Sequence, residues 1–538
     1  MFNPLYFYSP SCFRRWRKRI LILSFLTLLC LIGSWFYGVY ITDIAFRDDC
    51  TQEVGCIKKD TDDEKFVENI IQDFVSAGQS QSFYEGVDDE HPIPQKAAID
   101  SLLTHKTQVE VKAKKTSFFI PDVPKILWWD FYSGGKHVKN DTITCKGGTQ
   151  CHVVSERSYN DHPDTMAIMH YGTHFNFMDL PKERIPSILW GLIHEESMKN
   201  ADFLFNHEAI LSLFNYTATF KRQSDYPVTT QFLPNIEYLQ SKKYLVPIND
   251  KNRYRKEDHL APIFYIQSDC HTPSNREKYV ELLQKYINVD SYGKCNNNKM
   301  LPDYLSFEKS MGPMNHEDFF KLGAKYKFTL SMENAVCDDY ITEKVWRPFH
   351  LGSVPIIFGS PKIKDFLPSK KSAILVNDFD DVKNLAAFVQ YLDGNDTAYE
   401  EYLHYKEKDG ITNTYLVSEL DKRQWSKYDN MKRSYWSFFS GFECYICERL
   451  HDNIMSYKSG KQIKTKVATL EQYGCPPPKL FNDKGQYIVN DPRYSFHWYE
   501  GKYRAQAFRY FYDRNLNFTE KSIHDLAQSL RKEYSENR

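Results

Sequence analysis

Three short segments carry residue types that can do chemistry, and each follows an apolar run. The first is His194-Glu195-Glu196-Ser197, where a carboxylate at a strand end in a cleft is a candidate general base. Arg276 lies in the first turn of a predicted helix after the second run, residues 263–267, and Lys344 lies in the first turn of a short predicted helix after the third run, residues 327–332. A cation in the first turn of a helix opposes the helix dipole, and a bound polyanion such as a diphosphate would account for it. The segments together indicate an acid–base residue and an anion site.

Each segment also has a plainer interpretation. Adjacent glutamates are usually surface residues, Arg276 can be an ordinary surface arginine, and Thr342 can cap a helix whose Lys344 is solvated. Asp338-Asp339 can be read as a carboxylate pair for Mn²⁺, which is disfavoured because no third carboxylate is close. A zinc site at His194 lacks a second histidine at helical spacing. Spacing alone leaves the surface and capping interpretations open.

The elements that would position these residues are short apolar strands alternating with helices. Strands are predicted at residues 125–129, 165–170, 188–194, 210–214, 263–267, 327–332, 354–358 and 373–376. Helices are predicted over residues 274–287, with Ser274 as a possible cap, and over residues 381–392. Because strands that alternate with helices form parallel sheets covered on both faces, the sequence predicts two facing α/β domains.

Composition supports a folded, multidomain chain and excludes a nucleic-acid partner. The 538 residues carry 69 Lys and Arg against 70 Asp and Glu, and the resulting net charge of −1 gives no electrostatic case for binding nucleic acid. The chain is 42% hydrophobic and 15% aromatic, which is enough for sizeable cores and excludes global disorder.

The N-terminus predicts a membrane anchor. Residues 20–42 are uncharged and long enough to cross a bilayer, whereas a cleaved signal peptide would have a shorter apolar region and a small-residue cleavage site. Basic residues before the span and acidic residues after it place residues 1–19 in the cytosol and the rest in a lumen. Residues 43–119 have the mixed polar composition of a stem.

Sequons and cysteines agree with a lumenal chain. The four N-x-Ser/Thr sequons all follow the predicted span, at Asn140, Asn215, Asn395 and Asn517. Without Cys12 and Cys30, which precede or lie in the span, ten cysteines remain, an even number for which disulfides are the default in an oxidising compartment. Cys444 and Cys447 form a CxxC, whose rival interpretations are a redox pair or half of a zinc site.

One long segment resembles a known family. Residues 328–360, FTLSMENAVCDDYITEKVWRPFHLGSVPIIFGS, are similar to the donor-site signature of α-1,3-fucosyltransferases, and the likeness extends over most of residues 124–447. Supporting blocks are CKGGTQCHVVSERS, HEES, FNYTATFKRQSD and VDSYGKC. Within the family, the chain most resembles the subgroup of fucosyltransferases ten and eleven, through AVCDDYITEKVWRP, HEES and the tail AQAFRYFYDRNLNF. This subgroup is regarded as protein O-fucosyltransferases that act on EMI domains.

The resemblance implies a fold and a reaction. It implies a GT-B type α/β fold of two facing Rossmann-like domains, with residues 120–255 on the acceptor side, residues 256–457 binding GDP-β-L-fucose, and residues 458–538 as a C-terminal extension that looks like an appendage. It implies inverting transfer of fucose to a Ser or Thr hydroxyl of a folded protein domain, without a required cofactor or metal. The alternatives are α-1,3-fucosylation of N-acetylglucosamine in a glycan, and an inactive sugar-binding or chaperone-like protein.

The resemblance also assigns roles to residues. The family's base falls on Glu196, followed by Met198 where a proline is usual. The donor-binding positions are Ser268, Asp269, Arg276, Asn334, Tyr340, Glu343 and Lys344. Asp269 stands where the family has an asparagine, and Phe220 where it has an aromatic hydroxyl. The cysteine pair Cys145 and Cys151 would bond Cys444 and Cys447, in the lumen of the endoplasmic reticulum or Golgi apparatus.

Overall fold

The computed structural model describes residues 120–130, 139–201, 203–305, 315–423, 437–463 and 466–536. The predicted cytosolic tail, the span at residues 20–42 and the stem lie outside these residues, as do Cys50 and Cys56. Within the described ranges, no helix combines the length and the apolar character needed to cross a bilayer.

The first sheet has six strands. In chain order they are β1 Lys125–Trp128, β2 Asn140–Thr144, β3 Gln150–Val154, β4 Thr165–Tyr171, β5 Leu189–His194 and β6 Tyr216–Thr219. Their order across the sheet is β2-β3-β1-β4-β5-β6, and all pairs are parallel except β2 with β3. Every residue of β4 and β5 is buried, as expected for central strands covered on both faces.

The second sheet is entirely parallel. Its strands are β7 Ile263–Gln267, β8 Val289–Gly293, β9 Phe328–Met332, β10 Val354–Phe358 and β11 Ile374–Leu375. They lie in the order β11-β10-β9-β7-β8, so the chain turns to the opposite side of β7 between β8 and β9. In open α/β sheets, ligands bind outside the carboxyl ends of the strands at such a switch point.

Helices cover the sheets and build the C-terminal part. They are α1 Glu208–Leu211, α2 Ile236–Gln240, α3 Ile248–Glu257, α4 Arg276–Leu283, α5 Glu317–Ala324, α6 Glu343–Leu351, α7 Val382–Gly394, α8 Asp396–Glu400, α9 Thr414–Lys422, α10 Ser437–Lys458, α11 Pro492–Asp513 and α12 Glu520–Glu536. A two-stranded antiparallel hairpin, β12 Lys479–Phe481 and β13 Tyr487–Asn490, precedes α11.

Two sequence-based assignments of elements are wrong. Residues 210–214 do not form a strand, because the chain bends from α1 into a turn and the edge strand begins only at Tyr216. Ser274 does not cap the next helix: its hydroxyl donates to the carbonyl of Glu333 at 2.6 Å, and Asn275, with a φ of 53°, makes the turn into α4. The helix predicted over residues 381–392 forms as α7 and is capped by Asp381.

The C-terminal extension is not an appendage. Helix α10, which the sequence analysis assigns to the second domain, instead packs its apolar face on the first sheet. Helices α11 and α12 complete another core on the first sheet, with Phe508 and Phe511 among its buried residues. The hairpin before α11 packs on the second sheet through Phe481. The extension is integral because both sheets bury apolar surface against it.

Four disulfides join the described cysteines. Cys145 is bonded to Cys444 and Cys151 to Cys447, which are the pairs implied by the resemblance, and each bond spans almost 300 residues of sequence. The remaining two bonds join Cys270 with Cys295 and Cys337 with Cys475. The CxxC is therefore divided between two bonds instead of forming a redox pair or half of a zinc site.

The four sequons differ in accessibility. Asn140 and Asn517 are exposed, and Asn395 is half-buried as the cap of α8. Asn215 is only 3% exposed, and its amide accepts bonds from Arg184 and from the backbone of Trp190 and donates to the carbonyl of Lys466. The prediction of a glycan at Asn215 is incompatible with the folded chain, because the amide is buried and engaged.

Candidate active site

The candidate donor-site residues gather at the carboxyl edge of the second sheet. Ser268 and Asp269 follow β7, Asn334 follows β9, and Arg276 begins α4 between the two strands. Because β7 and β9 flank the switch point of this sheet, tertiary structure collects residues more than 60 positions apart in the sequence. This is the edge at which parallel α/β sheets bind phosphates and nucleotides.

Arg276 is held inside the protein, which excludes the surface-arginine interpretation. Its side chain is 2% exposed, and Nη1 donates to the carbonyl of Met332, the last residue of β9, at 2.8 Å. Nη2 lies 3.5 Å from the carbonyl of Asp269, and Nε has no hydrogen-bond partner among the described residues. A guanidinium fixed in this way has donor capacity left for an anion.

Lys344 belongs to a compact network with two acidic residues. Its Nζ lies 3.2 Å from Oε1 of Glu343 and 3.8 Å from Oε2 of the fully buried Glu333. Burial acts to lower the pKa of Lys344, but the two carboxylates outweigh it and raise the pKa, so the ammonium stays charged. Thr342 caps α6 and also donates its hydroxyl to Glu333 at 2.8 Å. The capping interpretation is thus correct for Thr342, while Lys344 is ordered instead of solvated.

Glu343 and Glu333 have opposite pKa shifts. Burial acts to raise the pKa of Glu343, but Lys344 and Arg347 lower it to about 2. Burial raises the pKa of Glu333, which accepts two bonds from Thr342. Glu343 is therefore ionised at neutral pH and offsets the charge of Lys344.

The remaining donor-site positions are less enclosed. Ser268 and Asp269 are exposed, and the carboxylate of Asp269 is paired with Lys199 from the first half of the chain at 2.6 Å. Asn334 is half-buried, its carbonyl accepts the backbone N–H of Ser274, and its Oδ1 has no partner among the described residues. Asn334 can accept a hydrogen bond from a ligand, whereas the carboxylate of Asp269 is already engaged.

Glu196 follows β5 and faces the second half of the chain. Tyr340, a buried residue of the loop before α6, donates its hydroxyl to Oε2 of Glu196 at 3.3 Å. Burial raises the pKa of Glu196, and Lys344 opposes this shift. Lys344 in turn interacts electrostatically with both Arg276 and Glu196. The candidate base and the two candidate anion-binding cations are therefore parts of one site.

Glu195 is not a surface residue either. It is 3% exposed, Oε1 accepts the hydroxyl of Tyr171 at 3.0 Å, and Oε2 has no partner among the described residues. Burial raises the pKa of Glu195 to about 7. Tyr171 ends β4, the strand next to β5, so the pair lies at the carboxyl edge of the first sheet.

One member of the disfavoured Mn²⁺ pair, Asp339, is engaged by an arginine. Asp339, 1% exposed, accepts bonds from Nε and Nη2 of Arg222, at 2.9 and 2.6 Å, and from the Arg222 backbone. The guanidinium also pairs with Asp365 at 2.9 Å. Because both oxygens of Asp339 are committed, it is a contact between the two halves of the chain and not a free metal ligand.

Sequence reasoning missed four residues of this region, namely Tyr171, Arg222, Glu333 and Tyr473. Glu333 and Arg222 lie in the motifs that resemble fucosyltransferases, but nothing in their spacing shows that they are bound to Thr342 and Asp339. Tyr473 donates its hydroxyl to the carbonyl of Glu196 at 3.2 Å from the C-terminal part of the chain. Its only signal in the sequence is the neighbouring Cys475, whose partner could not be assigned.

The fold and the site define a class of protein. Loops that follow strands of two largely parallel sheets contact each other through Tyr340 and Glu196, the second sheet carries cations at its switch point, and the first presents a carboxylate with a raised pKa. This arrangement suits transfer of a group from a phosphate-linked donor to a hydroxyl, because it combines a proton acceptor with stabilisation of a leaving anion.

Comparisons with known proteins identify the family. The model described as "Fucosyltransferase, N-terminal" matches residues 121–231, and that described as "Glycosyltransferase family 10 (fucosyltransferase) C-term" matches residues 255–466. The chain belongs to glycosyltransferase family 10 and is a fucosyltransferase.

Several curated proteins and a solved structure are similar to this chain. "GDP-fucose protein O-fucosyltransferase 3" of Canis lupus familiaris is 41% identical, over 80% of this chain and 85% of the relative. The proteins of that name from Rattus norvegicus and Homo sapiens are 40% and 41% identical, over 85% and 77% of this chain and 90% and 84% of their own lengths. A crystal structure of an alpha1,3-fucosyltransferase with GDP-fucose shares 14% identity over 68% of this chain and 94% of its own, with a TM-score of 0.34.

Proposed function

We propose that this fucosyltransferase transfers L-fucose from GDP-β-L-fucose, with inversion, to Ser or Thr hydroxyls of folded protein domains in the secretory pathway. The name of the curated relatives, which are about 40% identical over most of the chain, supports this donor and a protein acceptor. The acceptor class implied by the sequence resemblance is the EMI domain.

One observation carries the proposal: Tyr340 contacts Glu196 across the two halves of the chain, beside Lys344 and Arg276. A base must lie within hydrogen-bond reach of the hydroxyl that it deprotonates, and the leaving group must meet positive charge. Glu196 and the two cations supply both functions from opposite sheets, so a fucose bound between them would present its anomeric carbon to an acceptor beside Glu196.

The proposed reaction is a single displacement. The acceptor oxygen forms a bond to the anomeric carbon of fucose as the bond from that carbon to the β-phosphate oxygen breaks, and GDP leaves with the electron pair. Glu196 takes the proton of the acceptor hydroxyl. Arg276, Lys344 and the N-termini of α4 and α6 stabilise the departing diphosphate, where loss of one preorganised donor typically costs about 3–4 kcal/mol in the transition state. Because two side-chain cations supply this charge, transfer is expected to persist when divalent metals are chelated.

The proposal includes an architecture. Residues 120–255 would form the acceptor-side domain and residues 256–457, apart from α10, the donor domain of a GT-B enzyme with Rossmann-like halves. Residues 20–42 would anchor the chain in the endoplasmic reticulum or Golgi membrane, with the stem and the catalytic part in the lumen. The four disulfides of the described residues support an oxidising compartment.

An acceptor assay tests the proposal. The purified full-length chain is incubated with GDP-fucose and either a folded EMI domain or a glycan ending in N-acetylglucosamine, and products are identified by mass spectrometry. A mass increase of one deoxyhexose on the EMI domain is expected, and peptide fragmentation should place it on a Ser or Thr. Labelling of the glycan alone would overturn the protein acceptor, and transfer to neither substrate would overturn the proposed reaction.

A further inference from the structure

A segment of the C-terminal extension crosses the candidate active site. Residues 466–475, here called the strap, run along the edge of the first sheet, where the backbone of Ala468 donates to Phe214 and the side chain of Gln472 donates to Asp225. The strap then reaches Cys475, which is bonded to Cys337 of the loop before α6. The family model of the C-terminal domain ends at residue 466, so the strap extends beyond the matched region.

Tyr473 is the strap residue that contacts the candidate base. Its side chain is fully buried, and its hydroxyl donates to the backbone carbonyl of Glu196 at 3.2 Å. Its ring stacks on that of His194, with ring centroids 5.4 Å apart and planes inclined by 23°. It also packs against the ring of Phe220, with centroids 5.3 Å apart. Tyr473 therefore contacts the Glu196 segment at two points, residue 194 and residue 196.

His194 is in close contact with both Tyr473 and Gly172. An added Cβ at Gly172 would come within 2.4 Å of the imidazole, so no larger residue fits there without displacing the ring. Burial lowers the pKa of His194 to about 3, which keeps the ring neutral at working pH. Both ring nitrogens lack hydrogen-bond partners among the described residues, so packing alone places this side chain.

Two tyrosines thus hold Glu196, and one disulfide joins their segments. Tyr340 donates to the carboxylate and lies three residues after Cys337, whereas Tyr473 donates to the backbone carbonyl and lies two residues before Cys475. The bond between the cysteines keeps both tyrosines beside the same residue.

We propose that Tyr473 is a positioning residue for the reaction, holding the backbone of Glu196 where its carboxylate can reach the acceptor hydroxyl beside the bound donor. The inference rests on the proposed role of Glu196 as the base. Errors of about 1 Å in the placement of a reacting group can reduce a rate by about a hundredfold. Tyr473 would therefore act on turnover and not on donor binding.

Conservative variants test this role in the full-length chain. Tyr473→Phe removes only the hydroxyl and should lower kcat roughly three- to tenfold, the effect of one lost hydrogen bond, with the KM for GDP-fucose unchanged. Tyr473→Ala also removes the stacking on His194 and should lower kcat further. The matched control is Tyr512→Phe. Tyr512 is a buried residue of α11, and its hydroxyl also donates to a backbone carbonyl, that of Pro181, at 2.8 Å. Thermal stabilisation by GDP reports whether each variant is folded.

The outcomes separate this inference from the proposed function. A lower kcat in Tyr473→Phe than in Tyr512→Phe, at equal melting temperature and equal KM, supports the positioning role. Equal kcat values in the two variants, or a change confined to KM, would overturn it while leaving the proposed reaction intact. If Tyr473→Phe does not fold, the Cys337→Ser/Cys475→Ser double variant replaces it, and unchanged kcat in that chain would overturn the inference as well. Absence of transfer by the wild-type chain would instead overturn the proposed function.

Discussion

The hydroxyl of Tyr340 lies 3.3 Å from Oε2 of Glu196, although 144 residues separate them in the sequence. Tyr340 belongs to the loop that leads into α6 of the second sheet, and Glu196 follows β5 of the first. The contact links the protonation of the candidate base to the segment that carries Lys344, because the bond from Tyr340 favours the ionised carboxylate.

The first prediction concerns this bond and pH. Turnover requires ionised Glu196, so kcat should rise with pH through the raised pKa of this group. Tyr340→Phe removes a contact that lowers that pKa, and the acidic limb of the kcat profile should move to higher pH. Tyr405→Phe is the control, since its buried hydroxyl donates to the carbonyl of Phe349 at 2.9 Å. An acidic limb at the same pH in Tyr340→Phe and wild type would contradict the coupling.

The second prediction removes the base. Glu196→Ala and Glu196→Gln should lower kcat by about 10²–10⁴, the usual contribution of a positioned base, while GDP binding measured by calorimetry stays close to wild type. Glu208→Gln, an exposed carboxylate in the same half of the chain, serves as the control. Full transfer activity in the Glu196 variants would refute the assignment.

The third prediction concerns acid stability. The pKa of His194 is about 3 in the folded chain against 6.5 for the ordinary group, so between these values the unfolded state binds a proton that the folded state does not. The contribution of His194 should therefore lower the free energy of unfolding by about 1.4 kcal/mol for each pH unit as the pH decreases from 6.5 towards 3. In His194→Leu, the melting temperature should depend less steeply on pH in this window. The exposed His404→Leu should retain the wild-type slope, and an identical slope in His194→Leu would exclude the effect.

The fourth prediction concerns the disulfides of α10. Cys145 and Cys444 are 299 residues apart, and closing long loops of this kind typically stabilises proteins by about 2–5 kcal/mol. The Cys145→Ser/Cys444→Ser double variant should melt at lower temperature and should be cleaved faster by protease within α10, because that helix loses a covalent link to the first sheet. Cleavage at the wild-type rate would show that packing alone holds the helix.

The fifth prediction concerns glycosylation. Glycopeptide mass spectrometry of the full-length chain purified from eukaryotic cells should find Asn140 and Asn517 modified, because both are exposed. The peptide containing Asn215 should be unmodified, since its buried amide is hydrogen-bonded to Arg184 and to the backbone of Trp190 and Lys466. A glycan on Asn215 in folded protein would contradict the structure of this edge.

Much of the architecture follows from local sequence. Apart from residues 210–214, each predicted strand occurs within a residue or two of its expected position, because short apolar runs between polar turns have few other ways to be buried. Thr342 could be recognised as a cap because its side chain bonds a backbone N–H only two residues away. The edge strand β2 escaped prediction because its residues are largely polar and exposed.

By itself, the sequence determined the alternation of strands and helices, the residue types at the strand ends and the likeness to fucosyltransferases, since all of these are properties of neighbouring residues. Only the tertiary structure decided that Glu195 and Asn215 are buried, that Asp339 is bound by Arg222, and that the C-terminal extension brings Tyr473 to Glu196. These outcomes depend on which distant segments pack together. Burial and pairing are set by contacts across the whole fold, which no local pattern of residues specifies.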